Sequence, residues 1–258
     1  MDLDIVINLL MNNWYIILLF FVIAVLYSSV GFGGGSSYLA ILALTGIAYT
    51  QIRSISLLCN IVVVGGNVIY FYKQKLYNRN KVFPIVLFSI PMAFLGGTIQ
   101  ITESFFFILL GCTLLFTAVT MWFSKKSISK NNATHTMSFS KNASYGGLIG
   151  FISGMVGIGG GIFLAPLLHM IRWDSPKKIA ATASVFILLN SISGFLGQSF
   201  NPSFAMHWNL TIVLLLAVLL GGFIGVRIGN RYFSAIQLKR GTAILIAIIS
   251  LRILVKHL

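Results

Sequence analysis

Charged side chains are scarce in this sequence, and acidic ones are almost absent. Of 258 residues, 18 are lysine or arginine and only 4 are aspartate or glutamate. Charged residues therefore make up 9% of the chain, whereas a soluble domain carries about 25%. Hydrophobic residues make up 57%. Because so little charge could not cover the surface of a soluble globule, the composition predicts an all-α, polytopic membrane protein.

The scarcity of cysteine and of acidic residues excludes several kinds of site. Cys59 and Cys112 both lie inside apolar runs, where we expect small core residues and neither a disulfide framework nor a metal site. No nucleophile, base and orienting group stand together, so we expect no enzyme, no catalytic residue, no resident metal and no cofactor. Carboxylate coordination of Na⁺ inside the membrane is not expected either. The acidic residues all fall at the termini or in connections between apolar runs: Asp2, Asp4, Glu103 and Asp174.

Several of the apolar runs are too short to cross a bilayer. A transmembrane helix needs about 20 residues, and the runs at 36–46, 144–155 and 162–171 are much shorter. Short helices are tolerated at membrane depth where they are buried in protein or line a cavity, as in re-entrant hairpins. Glycine-rich sequences stand at the tips of these runs. We therefore predict two glycine-tipped re-entrant helical hairpins.

The chain also repeats itself. The segment 30–35 (VGFGGG) returns at 156–161 (VGIGGG), and the Leu-Gly-Gly sequence at 95–97 returns at 220–222. Two landmarks with nearly the same offset indicate an internal duplication. We predict one integral membrane domain built from two repeats, each a hairpin followed by three transmembrane helices. The first repeat is residues 1–123, a cytoplasmic linker follows at 124–143, and the second repeat is residues 144–258.

Lysine and arginine predict how the chain is oriented. They cluster at 73–81, in the linker and at 227–240, but the connections at 101–104 and 198–209 contain none. Because short cytoplasmic loops collect positive charge, the basic connections are expected inside the cell. Each repeat then crosses the membrane an odd number of times, so the two repeats are inverted. We expect a multi-pass protein of the cytoplasmic membrane with both termini outside.

The net charge of +14 does not indicate a nucleic-acid partner. The basic residues stand in short clusters between apolar runs, whereas a nucleic-acid-binding protein carries a continuous basic patch on a soluble face. The expected partners are the lipid bilayer and a small anionic solute. The sequence does not predict an oligomeric state.

The two glycine loops predict an anion site. Each immediately precedes an apolar half-helix, so unpaired N–H groups and the positive ends of two helix dipoles converge where inverted repeats meet, near the bilayer midplane. Glycine lets a ligand approach the backbone, and neutral amides and hydroxyls on the following spans can donate hydrogen bonds to an oxyanion. Close helix packing and interhelical hydrogen bonds are the alternative roles for these residues. The candidate substrate-binding residues are Gly33, Gly34, Gly35, Ser36, Ser37, Asn60, Asn67, Gly159, Gly160, Gly161, Thr182, Ser184, Asn190 and Gln198.

These motifs resemble the TauE/SafE family of membrane proteins, also called the four-toluene sulfonate uptake permease family. The likeness rests on residues 156–168 (VGIGGGIFLAPLL), 180–184 (AATAS) and 31–35, and it continues to 221–225 (GGFIG). The resemblance implies transport of small anions, often sulfur-containing ones such as sulfite, thiosulfate or organosulfonates. The first repeat departs from the pattern, with two serines and no proline after its glycines, so the two halves of the site are chemically unequal.

Three functions are compatible with these patterns. The leading hypothesis is a secondary transporter, or permease, that carries small anions by alternating access around a midplane site. A passive anion channel would use the same helix termini. A membrane scaffold without flux is a third hypothesis, although the short loops offer little surface to a partner.

Overall fold

The computed structural model describes residues 3–123, 138–171, 173–202, 204–228 and 235–257, and within these ranges it is all-helical. The predicted all-α class is confirmed for this part of the chain. The helices are α1 (Leu3–Ser29), α2 (Gly35–Leu42), α3 (Tyr49–Lys73), α4 (Arg79–Thr98), α5 (Glu103–Phe123), α6 (Phe139–Val156), α7 (Gly161–Met170), α8 (Pro176–Ser199), α9 (Trp208–Ile228) and α10 (Ala235–His257).

Several helix boundaries differ from the sequence-based expectation. Helix α1 begins well before the apolar run and contains a non-helical residue, Asn13. Asp4, predicted at the N-terminus, lies there within the first turn of α1, and Glu103 is the first residue of α5 and not part of a connection as predicted. An acidic residue at a helix start is favoured because it faces the positive end of the helix dipole. Helix α6 begins at Phe139, inside the predicted linker.

Some of the sequence-based predictions fall outside the described residues. They concern Asp2, most of the predicted linker (124–137), and the central part of the basic segment at 229–234. The division into two repeats and a linker therefore stays a prediction.

Five described helices are long and apolar enough to cross a membrane: α3, α4, α5 over Glu103–Thr120, α8 and α9. Large apolar side chains such as Trp14, Phe116 and Leu216 are exposed on the outside of the bundle. Cys112 is also exposed, so the expectation of a core position holds only for Cys59. Exposed apolar side chains on spanning helices match a surface that faces lipid, because lipid tails are as apolar as the side chains themselves.

Two helices form the centre of the bundle and position the glycine loops. Helices α3 and α8 pack against each other, and they have the most buried spanning segments. The short helix α2 packs on α3, and the short helix α7 packs on α8. Around this centre α1 packs on α9, α6 packs on α4, and α5 packs on α10. Each glycine loop therefore lies next to a central helix.

Candidate functional site

The first glycine loop joins α1 to α2 and leaves the start of α2 without a side-chain cap. Gly31 has a φ of +85°, a conformation that glycine adopts without strain. The N-cap residue of α2 is Gly34, which has no side chain to accept a hydrogen bond from the first turn. The first backbone bond of the helix runs from the Tyr38 N–H to the Gly34 carbonyl. The N–H groups before Tyr38 are the ones that a helix cannot satisfy internally.

The second loop joins α6 to α7 and has the same property. Gly157, Gly159 and Gly160 all have φ between +81° and +87°, so this turn requires glycine at three positions. Helix α7 starts at Gly161, and its N-cap residue is Gly160, again without a side-chain cap. Two helices thus begin at glycine loops, each with its positive dipole end uncapped.

The two loops meet at Asn60, in the middle of α3. The Asn60 side chain donates from Nδ2 to the Ile158 carbonyl of the second loop, at 2.8 Å. It also lies against the first loop, where a Cβ on Gly33 would come within 2.5 Å of Asn60 Oδ1. A Cβ on Gly35 would lie 2.5 Å from the Ile158 carbonyl oxygen. The loop backbones therefore touch, and only the absence of side chains at Gly33 and Gly35 allows it.

Ser191 of α8 also lies where the two loops meet at Asn60, a place that we call the junction. A Cβ on Gly159 would lie 2.6 Å from Ser191 Oγ and 2.8 Å from Asn60 Nδ2, so both side chains reach the second loop. Asn60 and Ser191 are fully buried. Neither Asn60 Oδ1 nor Ser191 Oγ has a hydrogen-bond partner among the described residues. Buried polar atoms are nearly always paired, so this junction has hydrogen-bonding capacity that the described chain does not use.

A cavity of about 260 Å³ lies next to the first loop. Its walls include Gly31 and Phe32 of the loop, Asn67 of α3 and Ala180 of α8, and Lys177 lies at its rim. Lys177 is exposed. The cavity therefore connects the loop to the end of the bundle at which α3 finishes and α8 begins.

Two of the predicted site residues hold the first loop beside this cavity. Asn67 donates from Nδ2 to the Phe32 carbonyl at 3.4 Å, and its Oδ1 accepts from Ser28 Oγ at 3.1 Å. Ser184 Oγ lies 2.6 Å from the Gly31 carbonyl oxygen, to which it donates. Both side chains bind loop carbonyls, so they position the backbone.

Other predicted site residues lie near the loops but face protein. A Cβ on Gly34 would meet Ile23 and Tyr38, and Ser37 shares a hydrogen bond of 2.9 Å with the Tyr27 hydroxyl. Ser36 is buried. Gly160 and Gly161 pack against Phe186 and Ile187 of α8.

The remaining predicted residues do not join the junction. Thr182 donates to the Lys178 carbonyl and Asn190 to the Phe186 carbonyl, both within α8 itself. Gln198 accepts from Ser54 Oγ at 2.9 Å and donates to the Gly154 carbonyl at 3.3 Å, near the end of the bundle away from the cavity. These three residues of α8 therefore have different environments.

Two residues outside the predicted set have the chemistry of a site. Ser191 follows Asn190 directly, and only the rotation of α8 in the bundle shows which of the two faces the junction. Arg53 of α3 is only 2% exposed, although it carries a charge. The sequence signal that could have identified Arg53 is a single arginine directly before the apolar run at 54–72.

The sequence matches the family described as Sulfite exporter TauE/SafE over residues 16–253. The chain belongs to the TauE/SafE family. The resemblance inferred from the two glycine loops is thereby confirmed, and the match covers nearly all of the described structure. No solved structure matches the sequence.

Several relatives share the description of probable membrane transporter proteins. Protein y4hK of Sinorhizobium fredii is 34% identical over 241 residues, which are 91% of this chain and 95% of the relative. A protein of Haemophilus influenzae is 26% identical over 61% of this chain and 62% of its own length. MamO of Paramagnetospirillum magneticum is 25% identical over 80% of this chain, but the match spans only 38% of MamO. Membership of this TauE/SafE family supports a transport role in a membrane.

Proposed function

We propose that this TauE/SafE protein is a secondary transporter of small anions, foremost sulfur-containing anions such as sulfite, thiosulfate or organosulfonates. It works by alternating access around the junction of its two glycine loops. The observation that carries the proposal is the meeting of two uncapped helix starts at Asn60 and Ser191, where the buried Ser191 hydroxyl has no partner in the described structure.

The chemistry of the junction favours an anion. Uncapped helix N-termini present N–H groups and positive dipole ends, which attract negative charge. Ser191 can donate its hydroxyl proton to an oxyanion without adding a fixed charge at the junction. Of the acidic residues that follow α1 in the chain, Asp174 pairs with Lys81 and Lys178, and Glu103 is exposed. Neither carboxylate repels an anion at the junction.

The contacts of the two loops support the proposal of inverted repeats. Gly33 faces Asn60 and Val64 of α3, and Gly159 faces Ile187 and Ser191 of α8. Each partner of the second loop stands 127 positions after its counterpart. The helix pairs show the same correspondence. Helix α1 of the first repeat packs on α9 of the second, and α6 of the second repeat packs on α4 of the first. These correspondences are expected when two repeats surround one shared axis.

The cavity supports access to the junction from one side of the membrane. It ends at Gly31 and Phe32, and the exposed Lys177 and the nearby Lys73 lie at the same end of the bundle. Positive charge of this kind marks the cytoplasmic side. We infer that the cavity is a cytoplasmic entrance, and that rocking one repeat against the other opens the junction to the opposite side.

Flux measurements in proteoliposomes test the transport proposal. We expect saturable uptake of labelled sulfite, thiosulfate or a small sulfonate, accelerated by the same anion inside the vesicle, with sulfate and chloride as comparison ions. Flux that does not saturate and is not accelerated from the opposite side would assign a channel instead. The absence of flux for every anion would favour a scaffold.

Ser191→Ala tests whether the junction binds the anion. Because Ser191 Oγ has no partner among the described residues, its removal breaks no described bond, and the melting temperature should not fall. If the hydroxyl donates to a charged ligand, its loss should raise the KM for the anion about tenfold. The matched control is Ser250→Ala in α10, whose hydroxyl donates to the Ala247 carbonyl of its own helix. An unchanged KM in Ser191→Ala would place the anion elsewhere.

A further inference from the structure

Arg53 is a buried cation for which the described structure provides no counter-charge. Its side chain lies near the start of α3 and is 2% exposed. Two of its nitrogens, Nε and Nη2, are buried and have no hydrogen-bond partner among the described residues. The ion pairs found there join Asp174 to Lys81 and to Lys178, and neither involves Arg53.

Arg53 lies against the second glycine loop. A Cβ on Gly157 would be 3.0 Å from the Cα and the carbonyl oxygen of Arg53. Its neighbour Ser54 bonds to Gln198, so amide and hydroxyl groups also lie at this end of α3. Asn67, beside the cavity, follows Arg53 by fourteen residues, which is about 21 Å along an α-helix. Arg53 therefore stands at the opposite end of the site from the cavity.

A buried guanidinium with two unpaired nitrogens is unfavourable. Transfer of a charge out of water costs several kcal/mol unless an opposite charge and hydrogen bonds compensate for it. Arginine does not lose its proton in proteins, so it cannot escape this cost by becoming neutral. A bound anion is the compensation that a transporter of anions has available.

We propose that Arg53 is a binding residue for the transported anion and that it selects oxyanions over halides. This inference rests on the proposed transport function. Nε and Nη2 lie on the same edge of the guanidinium plane, and both are unpaired. That edge donates two parallel hydrogen bonds, which fit two oxygens of one sulfite, sulfonate or carboxylate group. A halide ion is a single acceptor centre, so it cannot place a separate atom on each of the two parallel hydrogen bonds and gains less from this two-pronged edge.

The comparison between the two loops supports this assignment. A Cβ on Gly31 would contact Ala180, and a Cβ on Gly157 would contact Arg53, so these two side chains hold corresponding places. Ala180 lines the cavity at its end of the bundle. Arg53 occupies the matching place at the other end, which the positive-inside pattern predicts to be extracellular. The two corresponding positions, Ala180 and Arg53, thus differ by one positive charge.

Binding measurements on the purified full-length protein test this inference. Affinity for labelled sulfite and for a small sulfonate is measured in detergent, in a chloride buffer that supplies the halide background. We expect Arg53→Gln to weaken oxyanion binding about 30-fold or more, the usual effect of removing one partner of a buried charge pair. Arg53→Lys keeps the charge but loses the fork, so we expect intermediate affinity. Arg227→Gln is the control with the same loss of charge, because Arg227 is exposed and stacks over Phe223.

Thermal unfolding separates a ligand-binding role from a structural one. Without oxyanion, Arg53→Gln should melt at or above the temperature of the wild type, because an uncompensated buried charge is removed. With oxyanion, only the proteins that keep a positive charge at this position, the wild type and Arg53→Lys, should gain melting temperature. An Arg53→Gln variant that melts much lower or does not fold would show a structural role and overturn the inference.

The outcomes distinguish this inference from the transport proposal. Equal oxyanion binding in wild type and Arg53→Gln, or no oxyanion binding by the wild type, overturns the role of Arg53 whatever the flux. Binding that is lost in Arg53→Gln while the wild type shows no flux supports the Arg53 site and contradicts the transporter.

Discussion

At the scale of single residues, the junction depends on positions that have no side chain. Gly33, Gly35 and Gly159 let two loop backbones reach Asn60, and Asn60 bonds across to Ile158. Two different constraints act on such glycines. One is a positive φ, which other residues adopt at a cost, and the other is the lack of space for a Cβ.

Three glycine-to-alanine variants separate these constraints. Gly159 has a φ of +82° and no room for a Cβ, Gly46 has a φ of +73° with open space around it, and Gly65 in α3 has neither constraint. We expect Gly46→Ala to cost about 1–2 kcal/mol through backbone strain alone. Gly159→Ala should cost about 1–3 kcal/mol more through overpacking, and Gly65→Ala should be close to neutral.

Unfolding in detergent measures these three variants on one scale. Equal stability of Gly159→Ala and Gly46→Ala would contradict the close approach at the junction. A large loss in Gly65→Ala would show that the added methyl group itself, and not the site, is responsible.

At the scale of elements, the contact between α4 and α6 is made by a row of glycines. Gly146, Gly150 and Gly154 stand at every fourth position of α6 and therefore on one face. A Cβ on each would meet a backbone carbonyl of α4, at Ile85, Ser89 and Ala93 respectively. Small residues of this kind let two helix backbones approach closely in a membrane.

A neighbouring glycine, Gly147, provides a matched control for the contact between α4 and α6. A Cβ on Gly150 would lie 2.5 Å from the Ser89 carbonyl oxygen, whereas one on Gly147 would lie 3.6 Å from the flexible Met92 side chain. Both glycines are buried in the same helix. We expect Gly150→Ala to destabilise the protein by about 1–3 kcal/mol, visible as a lower melting temperature, and Gly147→Ala to change it little. Similar melting temperatures of the two variants would contradict the close approach of α4 and α6 at Gly150.

The helices themselves were largely predictable, and their contacts were not. Apolar runs bounded by glycine, proline or basic residues predicted the helices of the described chain, because hydrophobicity and chain breakers act locally. The start of α1 at Leu3 was missed, since its first residues are polar enough to resemble a connection. The glycine pairs at 96–97 and 221–222 did not reveal which helices they contact. The first pair lies against the backbones of α6 and α8, and the second pair lies against α1 and α3.

At the scale of the whole molecule, the charge pattern predicts on which side of the membrane each connection lies. The connection between α3 and α4 precedes Arg79 and Lys81, and the connection between α4 and α5 has no basic residue. The first is expected in the cytoplasm and the second outside. If this holds, the cavity beside Gly31 opens to the cytoplasm.

Cysteine labelling in intact cells tests this orientation. Asn80 and Gln100 are exposed at the two ends of α4. In a Cys112→Ala background, which keeps the buried Cys59, a reagent that cannot cross the membrane should label Gln100→Cys directly. It should label Asn80→Cys only after the membrane is made permeable. The reverse labelling pattern would show the opposite orientation in the membrane, with Arg53 on the cytoplasmic side.

The sequence predicted which residues lie next to the glycine loops only in part, and their role in binding an anion stays a prediction. Asn60, Asn67 and Ser184 do lie against the glycine loops, where they bond to loop carbonyls. Asn190 and Ser191 are neighbours on α8, yet Asn190 bonds within its own helix and Ser191 faces Gly159. The difference between them depends on how α8 is rotated about its axis, which its own sequence does not specify.

The amino-acid sequence by itself determined the helical membrane class, the family and the position of the two glycine loops. These follow from composition, apolar run length and residues that interrupt helices, all of which act within one segment of the chain. Only the tertiary structure decided that the loops touch at Asn60, that Ser191 joins them, and that Arg53 is buried without a counter-charge among the described residues. Those facts depend on the relative position and rotation of helices far apart in the chain, which are set by packing between them.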